Sequence, residues 1–135
     1  MAAWRRRALE LLPELRKEIE TEAFSPHALF FELLPFVRNA HAQDDDDALR
    51  RAYSFAQWCH HQRRGSDLPN AVGVSFYEHL FDDWSHHRAV VPWLSPTVRR
   101  DIWPLWQRRL DAQQLNELQR LIENPGDERW RELRA

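Results

Sequence analysis

Histidine and aspartate side chains in the middle of the chain have a spacing that can bind a metal ion. His79 and Asp83 are four residues apart, so on a helix both side chains lie on one face. Facing helices supply the other ligands in helical bundles, and the candidates are His60, His61, His86 and His87. No complete motif such as His-Glu-x-x-His occurs, so we expect no metal or cofactor and assign these residues to polar faces and helix ends. A metal-dependent helical-bundle enzyme using His79, Asp83 and a further His, such as His60, is the alternative interpretation.

A second polar group lies on the helix that we predict for residues 66–83. Ser75, Glu78, His79 and Asp82 share the polar arc of this otherwise apolar segment. A half-buried carboxylate at Glu78 can have a raised pKa and act as an acid or a base. Alternatively, Glu78 pairs with an arginine of a neighbouring helix, since structural ion pairs also perturb carboxylates. We favour the structural role and keep Glu78, His79 and Asp82 as candidate interaction residues.

Nucleophilic and phosphate-binding chemistry have little support in the sequence. The single cysteine, Cys59, excludes a disulfide framework and a cysteine-based zinc site. It lies on the apolar face of its predicted helix, and a buried cysteine is normally inert. Only three glycines are present, which disfavours glycine-rich phosphate loops. We therefore expect no catalytic residues.

The charges are distributed unevenly along the chain. The acidic run consists of Asp44, Asp45, Asp46 and Asp47. Residues 44–84 carry eight acidic and four basic side chains, a balance of −4. Such a segment can attract a basic protein partner and accelerate its association, whereas the overall net charge of −2 argues against a nucleic-acid partner. The alternative is that the run only stabilises a helix N-terminus.

Seven tryptophans are unusual in 135 residues. Trp58 lies at the edge of an apolar helix face, and Trp4 and Trp130 lie on the terminal helices. Exposed tryptophan is a favoured residue at the centre of protein interfaces, so these three are candidate contact residues, Trp58 first. We assign Trp84, Trp103 and Trp106 to the core.

The elements that must position these residues all have helical periodicity. We predict helices over residues 3–23, 26–41, from the Asp44–Asp47 run to Gly65, 66–83, 86–93 and 96–110. Two further helices follow, with Asp111 and Asp127 as their N-caps. The pairs Ser25-Pro26 and Ser95-Pro96 are start signals, Pro13 kinks or restarts the first helix, and Gly65 is a candidate C-cap. We expect Leu33, Phe76, Leu80, Ile102 and Trp106 in the core.

These patterns predict a single all-α domain over residues 1–135. It is an irregular bundle of six or seven helices joined by short loops, because short connections favour antiparallel neighbours. No apolar run approaches the roughly 18 residues that span a bilayer, and no targeting segment is evident. We therefore expect a cytoplasmic protein with no membrane partner.

Three short segments resemble a family of small, all-helical bacterial proteins of unknown function. They are Leu12-Pro-Glu-Leu15, Leu29-Phe-Phe-Glu-Leu33 and Asn70-Ala-Val-Gly-Val-Ser-Phe-Tyr-Glu-His-Leu80. The resemblance extends from about residue 12 to residue 122 and implies no cofactor. By analogy with orphan helical domains encoded near secreted-toxin genes, it suggests an immunity-type inhibitor.

Together these observations predict a non-catalytic, cytoplasmic protein-interaction domain. Its partner is another protein, which in the most specific version is a bacterial toxin. The same interpretation is also compatible with a homo-oligomer.

Overall fold

The computed structural model describes residues 2–21, 25–63 and 66–133, and within them the chain is helical with no strand. The α-helices are α1 (Ala3–Leu11), α2 (Arg16–Ile19), α3 (Pro26–Ala42), α4 (Asp46–His60), α5 (Asp67–Ser75), α6 (His87–Val90), α7 (Pro96–Arg109) and α8 (Ala112–Glu123). Short 3₁₀ segments cover Pro13–Leu15, Tyr77–His79, Trp84–His86, Val91–Trp93 and Arg129–Glu132. The all-α prediction is confirmed. The predicted helix number is roughly right, because two of the eight helices are four-residue fragments.

The first predicted helix is broken. α1 ends at Leu11, and Leu12 has φ −129° and ψ 59°, outside the helical region. Pro13 has no N–H to continue the helical hydrogen bonds, so the chain restarts as a 3₁₀ segment and then as α2. The remainder of the prediction, up to Ala23, lies outside the described residues.

Most of the helix caps predicted from the sequence are present in the structure. Ser25 and Ser95 accept hydrogen bonds from the backbone N–H groups of Ala28 and Val98, respectively. Asp111 forms a capping box with Gln114 at the start of α8. The predicted cap at Asp127 is wrong, because the last segment is a 3₁₀ turn that starts after Glu128 with no side-chain cap. Gly65 lies outside the described residues.

The predicted helix over residues 66–83 is also wrong in its second half. α5 ends at Ser75, and Phe76 has φ −127° and ψ −71°, which turns the chain into the 3₁₀ segment Tyr77–His79. Trp106 of α7 donates an indole hydrogen bond of 2.9 Å to the carbonyl of Tyr77. This buried donor holds the turn against α7, and the same carbonyl also accepts from the backbone N–H of Leu80 at 3.3 Å.

The core lies where α3, α4 and α5 pack together, with α1 against α4. The five predicted core side chains are all at most 4 % exposed, namely Leu33, Phe76, Leu80, Ile102 and Trp106. Cys59 is buried, and burial raises the pKa of its thiol, as expected for an inert cysteine. Trp84 and Trp103 are partly buried against this core. None of the described helices is long and apolar enough to cross a membrane.

Candidate functional site

The predicted polar residues Glu78, His79 and Asp82 meet around an arginine that the sequence analysis missed. Arg109, the last residue of α7, donates from Nε and Nη2 to the two carboxylate oxygens of Asp82 at 3.0 and 2.8 Å. His79 Nδ1 lies 2.8 Å from Asp82 Oδ2, and Glu78 Oε2 lies 3.8 Å from Arg109 Nη1. We call Glu78, His79, Asp82 and Arg109 the Arg109 cluster.

The electrostatics of the Arg109 cluster favour a structural role. Burial alone would raise the pKa of Asp82, but hydrogen bonds from Arg109 and His79 outweigh it and hold that pKa below its usual value. A carboxylate stabilised in its ionised form is a weak base near neutral pH. Arg38 of α3 also donates to the carbonyl of His79 at 3.1 Å, so the cluster joins the turn after α5 to α3 and α7.

Ser75 does not belong to this cluster, which corrects the helical-wheel prediction. Its hydroxyl is buried and lies 2.6 Å from Nδ1 of His27 on α3. The wheel assumed a continuous helix through Phe76, and the break there separates Ser75 from the residues that follow.

The alternative metal ligands are not brought together. His60 Nε2 lies 3.0 Å from Asp101, whereas Asp83 accepts a hydrogen bond from the backbone N–H of Ser85. His79 is bonded to Asp82. Within the part of the chain that the structure describes, no three His, Cys, Asp or Glu side chains are grouped to hold a metal ion.

The acidic run is engaged within the molecule. Asp45, rather than the whole run, caps α4 by accepting from the N–H of Ala48 at 3.1 Å. Asp46 pairs with Arg129 at 3.1 Å and Asp47 with Arg51 at 2.9 Å. Asp44 precedes the helix with a positive φ of 51°. The run thus caps α4 and connects the start of this helix to the 3₁₀ segment Arg129–Glu132.

Trp58 is partly buried rather than exposed. Its ring packs on Phe55 with centroids 6.3 Å apart, and the guanidinium of Arg7 on α1 lies 5.3 Å from the ring centroid. Trp4 and Trp130 are likewise partly buried, and arginines lie over both rings. A large part of the surface that each tryptophan would offer to a partner is therefore already covered.

Instead, the exposed large apolar side chain of the described residues is Phe31 on α3. It is 59 % exposed, and no other large apolar side chain of the described residues is classed as exposed. His27, Glu32 and Pro35 beside it on the helix are also exposed. We call His27, Phe31, Glu32 and Pro35 the Phe31 face.

Two chemical features accompany this ring. Pro35 lies inside α3 and has no N–H, so the carbonyl of Phe31 lacks the donor that residue i+4 normally supplies. Glu32 forms no ion pair with any described side chain. The Phe31 face therefore combines an apolar ring, a carbonyl to which Pro35 cannot donate and an unpaired negative charge.

The missed residues have one property in common. No sequence pattern marks Arg109, Arg38 or Phe31. The two arginines acquire their roles from partners on distant elements, whereas Phe31 is exposed because no described element covers it. The only local signal was Pro35, which marks the solvent-facing side of α3, because proline in a buried helix face would leave an unsatisfied carbonyl there.

Comparison with known families agrees with the resemblance noted in the sequence. A family model described as Domain of unknown function (DUF7674) matches residues 5–116. No curated protein and no solved structure matches the chain. The matched range contains the Arg109 cluster and the Phe31 face and ends within α8. Since the model covers most of its length, the chain belongs to this DUF7674 family of unknown function.

Proposed function

We propose that this chain is a non-catalytic domain that binds another protein through the Phe31 face. The observation that carries the proposal is the 59 % exposure of Phe31, whereas the other large apolar side chains of the described residues are buried or partly buried. Exposed aromatic rings are common anchors of protein interfaces. Burying such a ring in a partner removes apolar area from water and stabilises the complex.

The partner is defined by the chemistry of this face. The partner provides an apolar pocket for the Phe31 ring, an N–H or O–H donor for the Phe31 carbonyl, and a basic side chain for Glu32. Such an arrangement follows the usual anatomy of an interface, with an apolar centre and a polar rim. A second copy of this chain has less support, because two copies of the face would bring two Glu32 carboxylates together.

The more specific version of the proposal is that the partner is a bacterial toxin, which this domain inhibits in the cytoplasm. It is supported by the analogy with small orphan helical domains encoded beside toxin genes. The internal pairing of the Arg109 cluster supports the non-catalytic part, because its carboxylates and histidine serve as structural partners.

Photo-crosslinking in the cells of origin tests the proposal. A photoreactive phenylalanine analogue at position 31 should give one discrete adduct with a different protein. The matched control carries the analogue at position 107, an exposed site on α7. Purified partner should then bind Phe31→Ala at least tenfold more weakly than the parent, with both proteins equally folded.

Equal adduct yields at positions 31 and 107 would refute the Phe31 face as the contact. An adduct of twice the mass of the chain would instead identify a homodimer and overturn the choice of partner. For the toxin version, a stoichiometric amount of the parent domain should abolish the partner's toxic activity, and Phe31→Ala should not.

A further inference from the structure

A cavity far in sequence from the Phe31 face is lined by α6, the 3₁₀ segment Val91–Trp93, α7, α8 and the C-terminal segment, residues 124–130. Its volume is about 240 Å³. The apolar wall includes Val91, Pro92 and Leu121, and the polar wall includes Arg88, Arg99 and part of Trp130. Leu121 and Trp130 lie beyond the range matched by the family model, so the cavity is completed by a segment outside that range.

Two arginines and two carboxylates line this cavity, and all but one of these side chains form ion pairs. Arg88 pairs with Glu117 at 3.3 Å, and Glu128 on the opposite rim pairs with Arg131 at 2.6 Å. Asp127 lies 4.0 Å from Arg129. Arg99 alone among the charged lining residues has no ion-pair partner within the described chain.

Arg99 is held in place with its charge available. Its Nε donates to the carbonyl of Leu94 at 2.9 Å, and its terminal nitrogens donate to no described group. Burial lowers the pKa of this guanidinium, yet arginine stays protonated in proteins. Glu128 opposes this effect by its charge, but it forms no ion pair with Arg99 and is paired with Arg131. A planar carboxylate matches the two-pronged geometry of the N–H groups that Arg99 leaves free.

The rest of the cavity wall indicates to which chemical group the ligand's carboxylate is attached. A cavity of about 150 Å³ lined by apolar side chains can hold benzene, so the present one has room for a ring and a short acidic tail. Trp130 also lines this cavity and adds an aromatic side chain to its wall.

We propose that this cavity binds a carboxylate attached to an apolar group about the size of a benzene ring. The carboxylate pairs with Arg99, and the apolar group lies between Pro92 and Leu121. A small organic acid and the C-terminal residue of a peptide both present this chemistry. The site is independent of the Phe31 face, so either proposal can fail without the other.

Titration followed by NMR tests the proposal with 3-phenylpropionate as the probe and its neutral amide, 3-phenylpropanamide, as the matched ligand. The acid should shift the signals of Val91, Leu121 and Trp130 and bind at least tenfold more tightly than the amide. A second pair, acetyl-Gly-Gly-Phe with a free carboxylate or a C-terminal amide, tells whether a peptide end is also accepted. Tighter binding by the free-carboxylate peptide would assign the site to chain termini, and its failure would assign it to small acids.

Variants of the protein separate the charge from the shape of the cavity. Arg99→Met should weaken binding of the acid at least tenfold, whereas Arg100→Met, on the exposed neighbour paired with Asp101, should change it less than twofold. Leu121→Glu adds a carboxylate to the wall and should also weaken binding, which keeps the test decisive if Arg99→Met unfolds. Equal affinity for acid and amide, no shift at millimolar probe, or shifts confined to Trp103 on the far side of Arg99 would overturn the proposal.

Discussion

Arg109 binds both carboxylate oxygens of Asp82, 27 residues away in the sequence. The contact links the last residue of α7 to the turn that follows the break at Phe76. Two-pronged arginine–carboxylate contacts are the strongest of their kind, but both side chains are about one-third exposed, so water and salt weaken this one.

We expect this pair to contribute modestly and specifically to stability. Asp82→Asn and Arg109→Met should each lower the free energy of unfolding by about 0.5–1 kcal/mol, with a coupling energy of similar size in the double variant. Urea denaturation of the two single variants and the double variant measures these free energies. Arg108→Met, on an exposed neighbour with no ion pair among the described residues, is the control, and a coupling energy near zero would contradict the structural role.

Leu80 tests the position of the turn in the core. The side chain is 4 % exposed, so Leu80→Ala should lower the free energy of unfolding by about 2–5 kcal/mol, because it removes buried surface and leaves a cavity. Phe31→Ala, at an exposed site, should change it by less than about 0.5 kcal/mol. Thermal unfolding followed by circular dichroism distinguishes the two, and similar melting of both variants would show that Leu80 is not a core residue.

His41 should make stability depend on pH. Burial, reinforced by the nearby His86, lowers the pKa of His41 to about 4, against the smaller opposing effect of Asp44. Its Nε2 lies 2.8 Å from the buried hydroxyl of Tyr53. The unfolded chain binds a proton at a higher pH than the folded chain does, so stability is complete above pH 6.5 and is lost as the pH falls towards 4.

The size of this pH effect can be measured by comparison with a non-titrating variant. Between pH 7 and pH 4.5 the parent should lose about 2–3 kcal/mol more than His41→Gln does. Urea denaturation at both pH values provides the four free energies. A parent and a variant with the same pH dependence would show that the folded protein accommodates the His41 cation without cost.

Asp45 distinguishes helix capping from a general effect of negative charge. Asp45→Ala removes the acceptor of the Ala48 N–H and should cost about 1 kcal/mol, whereas Asp45→Asn retains an acceptor and should cost much less. Thermal melts of the two variants give the comparison. An equal loss in both would assign the effect of the acidic run to its charge alone.

The sequence by itself determined the features that depend on neighbours along the chain. Ser25, Ser95 and Asp111 each cap a helix through a backbone N–H three residues away, so their roles follow from local spacing. The all-α class and buried residues such as Leu33 and Trp106 follow from apolar periodicity. The resemblance of Asn70–Leu80 to a family was likewise contained in the residues themselves.

The tertiary structure decided the features that depend on distant or missing neighbours. The turn after Phe76 is held by Trp106 of another helix, which donates to the carbonyl of Tyr77, and Arg109 acquires its partner only when α7 packs beside that turn. Phe31 has the same apolar character as the buried Phe30, yet it is exposed because no described element covers its side of α3. Helical periodicity specifies one face of a helix, whereas burial requires a second surface, and only the packed chain determines where that surface lies.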